Sequence, residues 1–311
     1  MTYPALLVAD NVRLVFHTPL AAVTALDGVS LSIADGEFVA IVGPSGCGKT
    51  SLLRLLAGLI APTSGSVLLR GETLGGPRPD IGFVFQQPTL MPWRTALDNV
   101  MLPLELRNTP LPQRRQRAVE LLAMVGLAGF EQARPRELSG GMQQRVGLAR
   151  AFVTDAPILL MDEPFSALDP LIRARLQDEL LDLQAKLKRT IIFVSHDLDE
   201  AFKLGNRIAL MEGGRIVQIG TAREIIANPS SDYVADFVAH MNPLGVLTAR
   251  DVMEQGESNG AGVDCETAVK AVMQRLAQGE AELTVTERGA KIGVIRAAGL
   301  MAKLINPRGS V

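Results

Sequence analysis

An α/β fold built around a mostly parallel β-sheet is predicted by three short stretches of the sequence. Phe38–Val42 and Ile158–Met161 are apolar runs of the length and composition of buried strands. The first run leads through a glycine-rich turn into Thr50–Leu59, where leucines recur at helical spacing. A strand, a tight turn and a helix in this order are typical of α/β proteins with a parallel sheet.

The turn between the first strand and its helix has the residues of a phosphate-binding loop. Gly43, Gly46 and Gly48 allow backbone angles that a Cβ disfavours, so successive N–H groups point into one concavity at the positive end of a helix. The segment GPSGCGKT matches G-x-x-x-x-G-K-[ST] in full, and its strand–turn–helix context disfavours an ordinary glycine-rich turn. Lys49 is predicted to reach the β- and γ-phosphates, and the Thr50 hydroxyl to ligate Mg²⁺. The predicted nucleotide-binding residues here are Gly43, Pro44, Ser45, Gly46, Cys47, Gly48, Lys49, Thr50 and Ser51.

A second helix start with phosphate-binding character lies in ELSGGMQQRVGLARAF, residues 137–152. Ser139, Gly140 and Gly141 precede apolar residues at helical spacing, so the serine and the free N–H groups form another anion-binding terminus. The chain then has two candidate binding sites for one γ-phosphate. A head-to-tail dimer, in which each such site serves the partner's nucleotide, would account for both. The alternative for SGG alone is a capped amphipathic helix with a loose entry turn.

The second buried strand ends in two adjacent carboxylates, Asp162 and Glu163, within PILLMDEP. In P-loop proteins an acid at this place holds Mg²⁺, and the next acid is suited to polarise the attacking water. Two solvated acids at a strand end are the alternative, which the phosphate loop in the same chain disfavours.

In this order the motifs resemble those of the nucleotide-binding subunits of ATP-binding cassette (ABC) transporters, over roughly residues 5–235. Leu138–Arg145 matches the family's signature motif, and residues 166–169, SALD, match the loop that crosses the dimer interface. Phe16 sits where the family stacks an aromatic ring on adenine, at a slightly longer spacing than usual. Gln86 in GFVFQQP matches the hinge glutamine, and His196 in IIFVSHDLDEA matches the switch histidine.

The resemblance implies ATP and Mg²⁺ as cofactors and an ATPase that works as a homodimer. It makes Glu163 the base, with His196, Gln86 and Lys49 as the other catalytic residues. It adds Phe16 and, from the signature and interface loops, Ser139, Gly140, Gly141 and Asp169 to the nucleotide contacts. Its Mg²⁺ residues are Thr50, Gln86 and Asp162. It also implies an antiparallel β part near the N-terminus and a helical insertion at about residues 88–157.

Two stretches point to different branches of importers. LMPWRTALDNV, residues 90–100, resembles importers of nitrate, sulfonates, taurine and thiamine precursors. Met91, Trp93 and Leu97 in it are predicted to line the groove for a membrane subunit, although Trp93 is equally compatible with packing inside the insertion. Residues 211–253 instead resemble the end of the cassette in glycine betaine, proline and choline importers.

The tail suggests a small α+β domain, with a predicted boundary between domains at residues 1–240 and 241–311. Residues 263–304 predict helix, strand, turn, strand and helix, with Thr267 as the first helix cap and Arg288-Gly289 as the hairpin turn. The pattern resembles a single cystathionine-β-synthase (CBS) repeat, a module that normally occurs in pairs. The alternative is a dimerisation or packing domain. Eight basic and eight acidic residues in 241–311 argue against a polybasic lipid sensor.

Composition narrows the class of protein further. The 311 residues suggest two domains, and the net charge of −2 predicts no bulk attraction to nucleic acid. Apolar residues make up 47%, yet no uncharged apolar run approaches the ~18–20 residues of a membrane span. The first residues lack the pattern of a signal peptide, so none is expected there. Two cysteines predict no disulfide framework.

Together with this composition, the resemblance implies an ATP-hydrolysing import subunit at the cytoplasmic face of the inner membrane. Its expected partners are membrane permease subunits, a second copy of itself and a solute-binding protein of the same system. The substrate class stays open between nitrate-, sulfonate- or taurine-like solutes and a quaternary-amine osmolyte. One alternative is a stand-alone export ATPase. The other is a soluble ABC ATPase of translation or DNA repair, which is disfavoured because the chain has a single cassette and no heptad run.

Overall fold

The computed structural model describes residues 5–19, 21–239, 246–256, 258 and 260–305. Two compact units emerge: residues 1–196 with 209–217, and residues 197–208 with 218–311. The predicted boundary after residue 240 falls within 240–245, outside the described residues, so the domain assignment stays a prediction.

The elements follow one another in an order that mixes strands and helices throughout the chain. Up to residue 196 they are β1 (Ala5–His17), β2 (Ala22–Ala34), β3 (Phe38–Val42), α1 (Lys49–Leu56), β4 (Ser64–Leu69), β5 (Glu72–Thr73), β6 (Ile81–Val84), α2 (Ala96–Leu106), α3 (Leu111–Met124), a 3₁₀ turn (Pro135–Glu137), α4 (Gly140–Phe152), β7 (Ile158–Asp162), α5 (Pro170–Leu187) and β8 (Thr190–Ser195). After it they are α6 (Leu198–Leu204), β9 (Arg207–Glu212), β10 (Arg215–Gly220), α7 (Ala222–Ala227), α8 (Asp232–Ala239), α9 (Ala249–Val252), β11 (Ala261–Asp264), α10 (Val269–Ala277), β12 (Glu282–Glu287), β13 (Ala290–Arg296) and α11 (Ala297–Ile305).

The central sheet has the strand order β10-β9-β3-β8-β7-β6. Its neighbours β3 and β8, β8 and β7, and β7 and β6 all run parallel. Every residue of β3, β7 and β8 is buried, which confirms the prediction of buried parallel strands. Parallel strands end at one edge of a sheet, so the residues that follow these three strands, Gly43, Glu163 and His196, are brought to the same edge.

A separate four-stranded sheet, in the order β2-β1-β4-β5, is antiparallel throughout. It confirms the expected antiparallel part near the N-terminus. Helix α1 is shorter than the predicted Thr50–Leu59, because the chain turns at Gly58 with φ +69°. A Cβ at Gly58 would lie 2.4 Å from the Gly76 carbonyl oxygen, so only glycine fits this turn without a shift.

Helices α2, α3 and α4 form the expected helical insertion between β6 and β7. Its first helix is capped by Thr95, whose hydroxyl accepts a hydrogen bond from the Asp98 N–H at 3.1 Å. The buried Asn99 amide accepts from the Met91 N–H at 2.7 Å and donates to the Thr95 carbonyl at 2.9 Å. The segment entering α2 is therefore held by its own helix, with Trp93 69% exposed.

The tail forms a three-stranded sheet in the order β11-β12-β13, parallel then antiparallel. The hairpin turn at Arg288 and Gly289 is confirmed, with φ +48° and +85°. Two details of the prediction are wrong. Strand β11 precedes α10, the first of the two predicted helices, and α10 begins after Ala268 without a side-chain cap. Thr267 does not cap it, since the N-cap position is occupied by Ala268.

No helix within the described ranges is long and apolar enough to cross a membrane.

Candidate active site

The phosphate loop wraps around the amino group of Lys49. Lys49 Nζ donates to the carbonyl oxygens of Gly43 at 2.7 Å and Pro44 at 2.9 Å, and the residue is only 6% exposed. Gly48 caps α1 from the left-handed region with φ +102°. Pro44, Ser45 and Gly46 are exposed, so the loop has an open side for a ligand. A buried ammonium beside the first N–H groups of a helix is suited to a phosphate chain.

At two glycines of this loop, a backbone carbonyl group from another part of the chain lies too close to leave room for a side chain. A Cβ at Gly43 would lie 2.2 Å from the Met211 carbonyl oxygen, and one at Gly48 would lie 2.4 Å from the Ala25 carbonyl oxygen. Cys47 is buried, and burial raises the pKa of its thiol, so it serves as a small packed residue.

We expect Gly43→Ala to lower the free energy of unfolding by about 1–3 kcal/mol, because the new methyl group collides with backbone that cannot rotate away. Affinity for ATP should fall with it, since the loop must move. Urea unfolding and titration with a fluorescent ATP analogue measure the two effects. Gly75→Ala, where nothing lies within 4 Å of the added Cβ, is the matched control. Equal stability of the two variants would contradict the geometry.

Two oxygen ligands suited to Mg²⁺ meet at the start of α1 and the end of β7. The Thr50 hydroxyl donates to Asp162 Oδ1 at 2.9 Å. Asp162 is 2% exposed, and burial raises the pKa of its carboxyl group. A hydroxyl and a carboxylate are hard donors, and Mg²⁺ characteristically takes one or two protein ligands together with water and substrate phosphates. The donor set therefore fits a Mg²⁺–nucleotide site.

Glu163 is the centre of a three-residue cluster at the same sheet edge. Its Oε2 accepts from Gln86 Nε2 at 3.2 Å and lies 3.4 Å from His196 Nδ1. Glu163 has φ +46°, an uncommon value for a residue with a long side chain, and its N–H donates to the Val194 carbonyl. Backbone strain at a carboxylate in such a cluster is typical of a functional position.

The residues predicted to serve the partner's nucleotide lie at the starts of two helices. The Ser139 hydroxyl caps α4 by accepting from the Met142 N–H at 3.3 Å, and Asp169 caps α5 by accepting from the Ile172 N–H at 3.0 Å. Gly140 and Gly141 open α4, and a Cβ at Gly141 would lie 3.0 Å from the Ala167 carbonyl oxygen. The two loops therefore pack directly against each other.

Six of the predicted residues come together at the sheet edge: Lys49, Thr50, Gln86, Asp162, Glu163 and His196. In the part of the chain that the structure describes, no hydrogen bond joins the side chain of Ser139 or Asp169 to these six. Phe16 is 45% exposed and pairs with Val23 near the end of β1, and Ser51 lies in the first turn of α1.

A groove of 530 Å³ opens between β6 and the helical insertion. It is lined by Pro79, Ile81, Gly82, Phe83, Phe85, Thr89, Met91, Leu102, Pro103, Leu106, Arg107, Arg150, Ala151 and Thr154. The sequence reasoning identified only Met91 among these. Leu97 is 3% exposed and faces the interior, so its predicted role in partner contact is wrong, and Trp93 is exposed rather than packed. The spacing of Leu102 and Leu106, one turn apart on α2, was an available signal for the groove.

The ABC transporter family model matches residues 26–166. The glycine betaine transport ATP-binding protein OpuAA of Bacillus subtilis is 50% identical over 235 residues, 73% of this chain and 56% of that protein. The glycine betaine/proline betaine transport system ATP-binding protein ProV of Salmonella typhimurium is 44% identical over 291 residues, 90% of this chain and 73% of that protein. The trimethylamine N-oxide transport system ATP-binding protein TmoW of Ruegeria pomeroyi is 42% identical, covering 89% and 85%. The chain thus spans little more than half of the Bacillus relative.

A solved structure, the dimeric post-hydrolysis state of the ATP-binding cassette MJ0796 bound to ADP and Pi, superposes with a TM-score of 0.65 at 36% identity. The superposition covers 69% of this chain and 98% of that one. The fold is therefore that of an ATP-binding cassette.

Proposed function

The chain belongs to the ABC transporter family as an ATP-binding subunit and ATPase, and from this premise we propose that it drives the import of glycine betaine or a related osmoprotectant. The observation that carries the substrate class is the match over 89–90% of the chain to relatives named for betaines and trimethylamine N-oxide. The expected likeness to nitrate, sulfonate and taurine importers finds no support in these relatives. Their names as transport proteins also disfavour a soluble ABC ATPase of translation or DNA repair.

The chemistry assigned to the site is in-line attack of water on the γ-phosphate of ATP. ATP bound with Mg²⁺ supplies the transferable phosphoryl group. Lys49 and the N–H groups at the start of α1 stabilise the charge that develops on it. Thr50 and Asp162 would hold the metal ion, and Gln86, whose amide contacts Glu163, is assigned to it as well. Glu163 accepts the proton of the attacking water, and His196 holds the Glu163 carboxylate in place from the adjacent strand.

The Ser139 and Asp169 loops complete the site from a second copy of the chain in this proposal. Ser139 caps α4, which begins with Gly140 and Gly141 and so presents N–H groups suited to an anion, whereas Asp169 caps α5, which begins with Pro170. The dimeric state of the similar cassette MJ0796 supports this arrangement. Two nucleotides then seal one interface, so that ATP binding closes the dimer and hydrolysis opens it.

The groove beside β6 is the proposed contact with the membrane permease subunits. Its lining is largely apolar, with Phe83, Phe85 and Leu106 among its residues, and Leu106 is 76% exposed. An amphipathic helix from a partner fits such a surface. Trp93 is the exposed aromatic residue beside Met91 in the segment entering α2. This contact would hold the chain at the cytoplasmic face of the membrane, with a solute-binding protein on the other side.

The tail is assigned a regulatory or dimerising role. Its strand–helix–strand–strand–helix order suits a single CBS-like repeat, which needs a second copy to complete a paired module. Residues 241–311 are not required for the chemistry, since every residue assigned to ATP precedes residue 197.

Uptake by whole cells tests the substrate class. Deleting the gene should abolish a component of radiolabelled glycine betaine, choline or trimethylamine N-oxide uptake. The wild-type gene should restore uptake, and the Glu163→Gln gene should not. Loss of taurine or nitrate uptake instead, with osmoprotectant uptake intact, would contradict the proposal.

A further inference from the structure

The loop that follows Gln86 contains a strained residue. Thr89 has φ +44°, in the left-handed region that β-branched residues rarely occupy. It lies three residues beyond Gln86, whose amide contacts the Glu163 carboxylate. Such a conformation persists only where neighbouring groups hold it, so the neighbours of Thr89 determine where the loop, and with it Gln86, is placed.

The guanidinium of Arg150, near the end of α4, is the group that holds it. Its Nη2 donates to the Pro88 carbonyl at 2.6 Å and to Thr89 Oγ1 at 3.3 Å, and its Nη1 donates to the Thr89 carbonyl at 3.0 Å. Arg150 is partly buried, and burial lowers the pKa of its guanidinium. Among the described residues no carboxylate pairs with it. The cation is thus committed to backbone oxygens of this loop, in a fork geometry that a lysine does not reproduce.

A second contact joins the same helix to the same loop. An added Cβ at Gly147 would lie 3.7 Å from Pro88, so α4 approaches the loop at ordinary packing distance one turn before Arg150. The other end of α4 carries Ser139 as its cap. One continuous helix of 13 residues therefore connects the serine assigned to the partner's nucleotide with the loop that places Gln86.

We infer that Arg150 is a positioning residue for ATP hydrolysis, which holds the strained Thr89 turn on helix α4 so that Gln86 stays in contact with Glu163. The hydrogen bonds of Arg150 go to Pro88 and Thr89 and not to Glu163, so that it acts through this loop. A shift of α4 would move Pro88 and Thr89 through Arg150, and Gln86 would move with them. The inference rests on the proposed hydrolysis of ATP at Glu163.

The first experiment compares steady-state ATPase kinetics and ATP-analogue affinity in the full-length chain. Arg150→Ala should lower kcat about tenfold or more, because small misplacements of catalytic groups have effects of this order, while the Kd of the analogue stays within about twofold. Arg150→Lys should recover only part of kcat. The matched control is Arg117→Ala, which removes a guanidinium of the same insertion that bonds to Asp155 instead. It should keep kcat.

The second experiment relieves the strain. Thr89→Gly accepts a positive φ without cost, so Arg150→Ala should reduce kcat less in the Thr89→Gly background than in the wild-type background. Unchanged kcat in Arg150→Ala would overturn the inference while the wild type hydrolyses ATP. An equal kcat loss in both backgrounds, with weaker analogue binding, would also overturn it and show a merely structural role. A wild-type chain without ATPase activity would contradict the proposed function and the inference together.

Discussion

Replacing Glu163 by glutamine is expected to reduce ATP turnover by a factor of about 10² or more, because loss of a positioned general base has an effect of this size. Binding should persist, since Lys49 and the loop N–H groups are untouched. The glutamine amide still reaches Gln86 and His196, so the local packing survives. ATP should therefore accumulate in a closed dimer. Phosphate release and size-exclusion chromatography with and without ATP measure the two results.

The control for this substitution is an exposed carboxylate that has no assigned role in ATP hydrolysis. Glu120 on α3 is exposed and accepts a hydrogen bond from Gln116 four residues earlier, so Glu120→Gln should leave turnover unchanged. Near-normal turnover in Glu163→Gln would exclude Glu163 as the base. Asp162→Asn provides a second comparison, because loss of a metal ligand should raise the Mg²⁺ concentration needed for half-maximal activity, whereas Glu163→Gln should leave it unchanged.

A mixture of Lys49→Ala and Ser139→Arg chains is expected to hydrolyse ATP faster than either variant alone. Lys49 is buried in the phosphate loop, so its loss damages the site of its own chain. Ser139 opens the helix assigned to the partner's site, where arginine would be too large. Each pure dimer then has two damaged sites. A head-to-tail mixed dimer concentrates both lesions in one site and leaves the other intact.

The mixing experiment requires evidence that chains exchange. Two affinity tags, one on each variant, allow the mixed dimer to be isolated in ATP before its activity is measured. A mixture of Lys49→Ala chains that differ only in their tags is the control and should stay inactive. Isolated mixed dimers without any gain in activity would contradict two shared sites in which one suffices. Absence of ATP-dependent dimers in the Glu163→Gln background would count against the head-to-tail arrangement itself.

Local sequence was sufficient to predict the phosphate loop, its strand and its helix. The reason is that the backbone of a tight turn is constrained by the residues within it. Gly48 occupies the left-handed region, and Lys49 lies buried under the loop. The parallel strands were equally predictable, because a strand buried on both faces needs an unbroken apolar run. The Arg288-Gly289 turn followed from turn chemistry in the same way, whereas the helical insertion was implied by the family resemblance.

The sequence by itself therefore determined the P-loop α/β fold and the family, and it predicted the residues that would bind ATP. The tertiary structure alone decided which side chains meet and which are covered. Leu97 and Trp93 lie four residues apart with similar apolar character, yet one is buried and the other exposed, because only the packing of the insertion selects a face. The hydrogen bond from Arg150 to Thr89 joins residues that lie 61 positions apart in the sequence. Contacts at such separations depend on how elements pack, which no local pattern of residues encodes.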